Sequence, residues 1–121
     1  MTKILVIDDE DVDRMLVSEL LRAEGHDVVE AADGVEGIAA SGNTDLDLLI
    51  TDIMMPNKDG LQTIMAIKKD RPEMRIIAVS GGGRHVQMST LDMAKFLGAD
   101  ATLSKPISAE KLIAAVNELL A

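Results

Sequence analysis

DLLITDIMMP, residues 47–56, is an apolar run that ends in a single carboxylate, Asp52, followed by two methionines and a proline. A short apolar run bounded by a turn signal is typical of a strand with both faces covered, as in a parallel sheet. A lone acid at a strand end is usually an ordinary loop residue. The rest of the chain therefore decides whether Asp52 has a function.

Strand-like and helical segments alternate along the whole chain. The predicted strands are KILVID (3–8), DVVEA (27–31), DLLITD (47–52), RIIAVS (75–80) and ATLSK (101–105). The predicted helices are 12–24, 34–40, 60–70, 89–97 and 109–120. Five β-then-α units predict a parallel sheet with right-handed crossovers and helices on both faces. The expected fold is α/β, a three-layer α/β/α doubly wound sandwich whose ligand crevice lies beyond the carboxyl ends of the strands.

Two of the helices carry recognisable end signals. Gly25 is placed to end the first helix, and Ser108 is placed to cap the last one. The first helix is predicted to carry a stripe formed by Val12, Met15, Leu16, Glu19 and Leu20. Several methionines are interpreted as filling the core or an interface: Met15, Met65, Met74, Met88 and Met93.

The composition indicates one globular domain, residues 1–121, with no output domain. The chain has 121 residues, of which 47% are hydrophobic, and it contains no cysteine, which excludes disulfides and thiolate chemistry. Its apolar runs are far shorter than a bilayer span, and its N-terminus lacks the features of a signal peptide. We expect a cytoplasmic protein without membrane insertion.

The charge balance argues against direct nucleic-acid binding. Twelve basic residues face 21 acidic ones, for a formal charge of -9. Such a surface repels a phosphate backbone. One Phe and no Trp or Tyr leave few platforms on which bases could stack.

Chemically active side chains stand at the carboxyl ends of the predicted strands. They are Asp8, Asp9, Asp52, Ser80 and Lys105. Three carboxylates in one crevice raise one another's pKa unless a cation keeps them ionised. Oxygen ligands without His or Cys suit a hard divalent ion, and an open site with few carboxylates suits Mg²⁺ better than Ca²⁺. The sequence therefore predicts a Mg²⁺ site at this edge of the sheet.

The same group of residues could hold a phosphoryl group. Lys105 would pair with one phosphoryl oxygen, and Ser80 would donate a hydrogen bond to another. A carboxylate can act as the nucleophile and form an acyl phosphate. Asp52 is the best candidate because it stands alone on its strand, whereas the adjacent Asp8 and Asp9 form a natural metal pair.

Four motifs in order carry a family resemblance. They are IDDE (7–10), TDIMMPNKDG (51–60), AVSG (78–81) and LSKP (103–106). Together they resemble the receiver domain of two-component response regulators, and the resemblance covers the whole chain. It implies a flavodoxin-like (βα)₅ fold with strand order 2-1-3-4-5.

The resemblance also implies a role for each matching residue. Asp52 matches the phosphoacceptor, and Asp8 and Asp9 match the acidic pair that holds Mg²⁺. Ser80 matches the switch hydroxyl and Lys105 the family's lysine. The remaining implied features are the backbone carbonyl of Met54 as a metal ligand and a cis peptide bond at Pro106.

Two positions depart from the family pattern. Thr102 stands where the family usually has an aromatic residue that rotates on activation. Either the output face signals without a rotating ring, or the alignment of this strand is shifted. Gly81–Gly83 lie in a loop that could close over a phosphate or simply be mobile. We interpret His26 and His85 as solvated turn and loop residues.

The sequence favours a stand-alone response regulator. Asp52 would take a phosphoryl group from a histidine kinase or histidine phosphotransfer protein, with Mg²⁺ as cofactor, and the phosphorylated form would contact a downstream protein. The protein would catalyse only its own phosphorylation and dephosphorylation, and would not otherwise be an enzyme. Two alternatives stay open: a receiver-like binding module independent of phosphorylation, and a phosphatase of the haloacid-dehalogenase kind. Those phosphatases need a second acid where this chain has Met54.

Overall fold

The computed structural model describes residues 2–42, 45–53, 60–80, 95 and 98–121. Strands and helices alternate in the order β1 (Lys3–Ile7), α1 (Asp11–Ala23), β2 (Asp27–Ala31), α2 (Gly34–Gly42), β3 (Leu48–Asp52), α3 (Gly60–Asp70), β4 (Arg75–Ser80), β5 (Ala101–Ser104) and α4 (Ala109–Leu120).

The five strands form one parallel sheet in the order β2-β1-β3-β4-β5. This arrangement confirms the doubly wound α/β architecture and the strand order. β3 lies at the centre of the sheet, and all five of its residues are buried, because helices cover both of its faces. The apolar run that ends at Asp52 is thus the middle of the core.

Alternation along the strands divides the core into two layers. Leu5, Leu49 and Ile76 face one cluster, which includes Ile64 and Ile67 of α3. Their neighbours on the same strands face the other cluster, formed with α1 and α4. That second cluster contains Ile4, Val6, Val17, Leu21, Leu48, Ile50, Ile77, Val79, Leu112 and Val116. The three layers are therefore α2 with α3, the sheet, and α1 with α4.

Most predicted boundaries agree with the structure to within two residues. The strands at 27–31 and 75–80 and the helices at 60–70 and 109–120 have the predicted bounds, and the other described elements differ slightly at their ends. The predicted helix at 89–97 lies outside the described residues except for Lys95, which is helical. Among the described residues, no helix is long and apolar enough to cross a bilayer.

The predicted stripe on the first helix is only partly the face that meets the core: Leu20 packs against the core, but Val12, Met15 and Leu16 do not. Val12, Met15 and Leu16 are 72%, 56% and 45% exposed, whereas Val17 and Leu21 are buried against the sheet. α1 has apolar residues on two faces, and periodicity alone cannot decide which of them meets the core. Met65 is also exposed, and Met74 is the methionine that lies in the core among the described residues, so of the two interpretations given for Met15 and Met65 only the interface remains.

Both end signals act as predicted. Gly25 has a φ of 93°, which only glycine adopts readily, and its amide donates to the carbonyl of Arg22 just past the end of α1. The Ser108 hydroxyl accepts a hydrogen bond from the Lys111 amide at 3.3 Å and caps α4.

Candidate functional site

Strand register brings two acids side by side. Ile7 of β1 pairs with Thr51 of β3. The residues that follow, Asp8 and Asp52, therefore stand next to each other at the carboxyl edge of the sheet. Both are buried, with Asp8 5% and Asp52 3% exposed. The sheet itself thus places two carboxylates in contact with the crevice predicted from the sequence.

The two-residue alternation of the strands also selects the side on which the site forms. Val6, Ile50 and Leu103 pack in the cluster shared with α1 and α4. The positions two residues further along these strands are Asp8, Asp52 and Lys105. Continued alternation places all three toward α1, which is why a lysine from the edge of the sheet can reach both acids.

Lys105 is the centre of an ion-pair group. Its Nζ lies 2.9 Å from an oxygen of Asp52, 3.0 Å from Asp8 and 3.1 Å from Asp13. The Lys105 side chain is only 12% exposed, so its contacts with the buried Asp8 and Asp52 are shielded from water. The ammonium offsets part of the repulsion that would otherwise exist among the three acids.

Burial and ion pairing act in opposite directions on Lys105. Burial favours the neutral amine and would lower the pKa of Lys105, but hydrogen bonds to Asp52, Asp8 and Asp13 and the negative charge of Asp52 outweigh it. The pKa of Lys105 is therefore raised above its usual value. The side chain stays cationic at neutral and moderately alkaline pH, as a partner for phosphate or carboxylate must.

Asp8, Asp9 and Asp52 form a group that fits a hard divalent cation. One oxygen from each lies within 4.8 Å of the others, and Asp9 is the most exposed of the three. The group is composed of carboxylates, the ligand type that Mg²⁺ prefers, and its exposed member leaves room for water ligands. Because Lys105 supplies one positive charge against four nearby acids, counting Asp13, the site retains an excess of negative charge. These residues would hold Mg²⁺.

Asp8 is fixed by the backbone around it. Its second carboxylate oxygen accepts a hydrogen bond from the Glu10 amide at 2.9 Å. The Arg14 guanidinium donates to the Asp8 carbonyl at 2.6 Å and also pairs with Asp11 and Glu30. Arg14 therefore helps to hold the loop that carries the acidic pair.

The other predicted site residues lie at the same edge or outside the described residues. Ser80 is buried at the end of β4, and its carbonyl accepts the Lys105 amide at 2.9 Å. The Lys105–Pro106 peptide bond is cis. Thr102 is half-buried in β5 and borders a groove of about 230 Å³. Met54 and the Gly81–Gly83 loop, with His85, lie outside the described residues.

Two contributors were missed in the sequence. Asp13 was not assigned to the site, although it lies one helical turn beyond Asp9 in an unusually acidic run, IDDEDVD. Gly60 was included in a motif but given no role. A side chain at Gly60 would overlap the backbone of Asp52 and Ile53, so only glycine lets α3 begin this close to β3. The spacing of acids in the sequence could have indicated Asp13, but the contact at Gly60 is visible only in three dimensions.

Metal binding should be measurable as thermal stabilisation. Saturating Mg²⁺, at about one hundred times its Kd, should add about 2.7 kcal/mol to the free energy of unfolding and raise Tm by roughly 10 °C. EDTA should reverse the shift, and calorimetry or circular dichroism would record it. Asp9→Asn should lose most of the effect, whereas Asp27→Asn, which removes an exposed charge from the start of β2, should keep it. An equal shift in both variants would argue against these ligands.

The fold and the site together define a doubly wound α/β domain with an acidic pocket, held next to a lysine, at the carboxyl edge of its parallel sheet. The family model of the response regulator receiver domain matches residues 4–117. The chain belongs to this family, whose members act in two-component systems with histidine kinases and downstream targets.

Two relatives of similar sequence agree with this assignment. The chain is 33% identical over 120 residues to the transcriptional regulatory protein CpxR of Escherichia coli K12. The aligned region covers 99% of this chain and 50% of CpxR. It is 35% identical to protein PilG of Pseudomonas aeruginosa, over 95% of this chain and 84% of PilG. The chain therefore spans about half the length of CpxR but most of PilG.

Solved structures show the same fold. A receiver domain protein from Clostridium thermocellum superposes with a TM-score of 0.91 at 34% identity, covering 99% of this chain and 94% of that one. The response regulator TrrA of Thermotoga maritima, solved in complex with Mg²⁺-BeF, gives a TM-score of 0.87 at 32% identity, covering 99% of this chain and all of TrrA.

Proposed function

We propose that Asp52 accepts a phosphoryl group from a phosphohistidine of a partner protein, in a reaction that requires Mg²⁺. The observation that carries the proposal is the contact of Lys105 with Asp52 at 2.9 Å beside the carboxylates of Asp8 and Asp9. This group combines a buried carboxylate with a fixed cation and a set of metal ligands. TrrA, a relative solved with Mg²⁺-BeF, supports the use of Mg²⁺.

The transfer is a displacement at phosphorus. A carboxylate oxygen of Asp52 forms a bond to phosphorus as the bond from phosphorus to the imidazole nitrogen of the donor breaks, and that nitrogen keeps the electron pair. Lys105 binds a phosphoryl oxygen, and Ser80 donates a hydrogen bond to another. Mg²⁺ bound by Asp8, Asp9 and Asp52 would supply positive charge to the transferring group. The contribution of the protein is mainly position and charge, because the donor is already activated.

The phosphoryl donor would be recognised, and the signal would leave, through protein contacts. Val12, Met15 and Leu16 form an exposed apolar surface on α1, the helix that starts at the site. Adjacent apolar side chains in water favour a protein partner, here a histidine kinase or histidine phosphotransfer protein. We further propose that the protein works in the cytoplasm, reaches its target without direct nucleic-acid contact, and turns over no substrate beyond its own phosphorylation.

A small-molecule donor tests the proposal. Acetyl phosphate with Mg²⁺ should add one phosphoryl group per chain, as measured by intact mass, while acetate leaves. The adduct should be absent when EDTA replaces Mg²⁺ and should be removed by hydroxylamine, which cleaves acyl phosphates. Failure of the wild-type protein to form any adduct would overturn the proposal. Rapid hydrolysis of phosphomonoesters would instead support a phosphatase.

A further inference from the structure

Among the described residues, Asp13 is the one ion-pair partner of Lys105 that lies outside the proposed metal ligands. It sits in the first turn of α1, and its carboxylate is 3.1 Å from the Lys105 ammonium. Its side chain is 39% exposed, compared with 7% for Asp8 and 3% for Asp52. Lys105 therefore has two buried partners and one that borders water.

The ammonium has no hydrogen-bonding capacity to spare. It carries three N–H donors, and three carboxylates lie within 3.1 Å of it. A phosphoryl group on Asp52 brings new oxygen acceptors into the same space. For Lys105 to bind one of these oxygens while keeping its other contacts, one carboxylate must give up its place.

Asp13 is the partner that leaves at the lowest cost. Asp8 is buried, and the Glu10 amide holds its second oxygen in place, so its carboxylate cannot turn into solvent. Asp52 carries the phosphoryl group itself, so it stays beside Lys105. Asp13 can turn into solvent, where water replaces the lost contact.

We propose that Asp13 is a positioning residue that holds Lys105 in the unphosphorylated protein and is exchanged for a phosphoryl oxygen when Asp52 is phosphorylated. This inference rests on the proposed function of Asp52. Asp13 also places a negative charge near the incoming phosphoryl group, so it competes with that group for Lys105 and repels it. The consequence is a lower phosphoryl occupancy than the site would otherwise reach.

Asp13→Asn separates this role from simple structural support. The amide keeps the shape of the side chain and removes its charge. Phosphorylation by acetyl phosphate should become about three to ten times faster, and the adduct, after removal of the donor, should decay more slowly. Loss of structure would change both rates in the opposite sense. The matched control is Glu10→Gln, which removes an exposed charge from the neighbouring residues, and Asp13→Glu should restore wild-type rates.

The contact itself can be observed without phosphorylation. In a ¹⁵N–¹H spectrum of lysine ammonium groups, the signal of Lys105 is assigned by its loss in Lys105→Arg. Three carboxylate partners should slow proton exchange with water and keep this signal sharp in the wild type and in Glu10→Gln. In Asp13→Ala, which removes the acceptor as well as the charge, the signal should broaden or disappear.

Each result has a separate meaning. An unchanged Lys105 signal in Asp13→Ala would overturn the contact. A changed signal in Asp13→Ala, with phosphorylation of Asp13→Asn no faster than that of Glu10→Gln, would overturn the exchange. If no variant takes up a phosphoryl group, the proposed function of Asp52 fails and the exchange fails with it, while the spectrum still decides whether Asp13 holds Lys105.

Discussion

Asp52→Asn is expected to abolish the phosphoryl adduct while the protein stays folded. Asparagine has the shape of aspartate, so the end of β3 can keep its packing, and Lys105 retains Asp8 and Asp13 as partners. The amide cannot form an acyl phosphate as a carboxylate does. Intact mass after incubation with acetyl phosphate and Mg²⁺ should therefore match that of the untreated variant.

The other acids of the site are poor substitutes for Asp52. Asp8 has one oxygen bound by the Glu10 amide and the other by Lys105. Asp9 is the most exposed member of the acidic group. Asp9→Asn is the informative control, because it should weaken metal binding yet remain phosphorylated when Mg²⁺ is raised. An adduct of equal yield in Asp52→Asn would place the nucleophile elsewhere and end the assignment.

Gly60→Ala adds only a methyl group, yet it is expected to destabilise the protein strongly. The added Cβ would overlap the carbonyl oxygen of Asp52 and the Cα of Ile53, both of which are backbone atoms that cannot rotate away. Overpacking of this kind costs roughly 3 kcal/mol, which corresponds to a Tm lower by roughly 10 °C. Thermal unfolding followed by circular dichroism would measure it.

Gly42→Ala provides the matched control for Gly60→Ala. No atom of the described residues lies within 4 Å of a Cβ at Gly42, which also belongs to a helix, so this change should be neutral or stabilise by roughly 0.5–1 kcal/mol. The fraction of Gly60→Ala protein that stays folded should also take up a phosphoryl group slowly, because the clash displaces the carbonyl of Asp52 itself. Equal stability of the two variants would show that α3 can move away freely.

The features that were predictable from the sequence are those set by local patterns. Alternating apolar runs and helical segments specify a parallel sheet, and parallel strands bring their carboxyl ends to one edge. That is sufficient to bring Asp8, Asp52 and Lys105 together without any coordinates. The cap at Ser108 and the stop at Gly25 are equally local.

The features that were missed depend on contacts between distant parts of the chain. α1 has apolar residues on two faces, and only its position against α4 and the sheet decides that Val17, not Met15, is buried. The contact of Asp13 with Lys105 joins residues 13 and 105, and the close approach at Gly60 depends on the path of the chain after β3. Neither is encoded in the periodicity of one element.

The ion pairs of Lys105 also connect elements that are not neighbours in the sheet. In the sheet, β5 is an edge strand and is separated from β1 by β3 and β4. Lys105 nevertheless reaches back across both of them to Asp8 after β1 and to Asp13 on α1. The Lys105 side chain thus spans the carboxyl edge of the sheet and connects the end of β5 with the end of β1 and with α1. In the proposed exchange Lys105 would keep its contact with Asp8 and lose its contact with Asp13, so phosphorylation of Asp52 would free α1 from the lysine that follows β5.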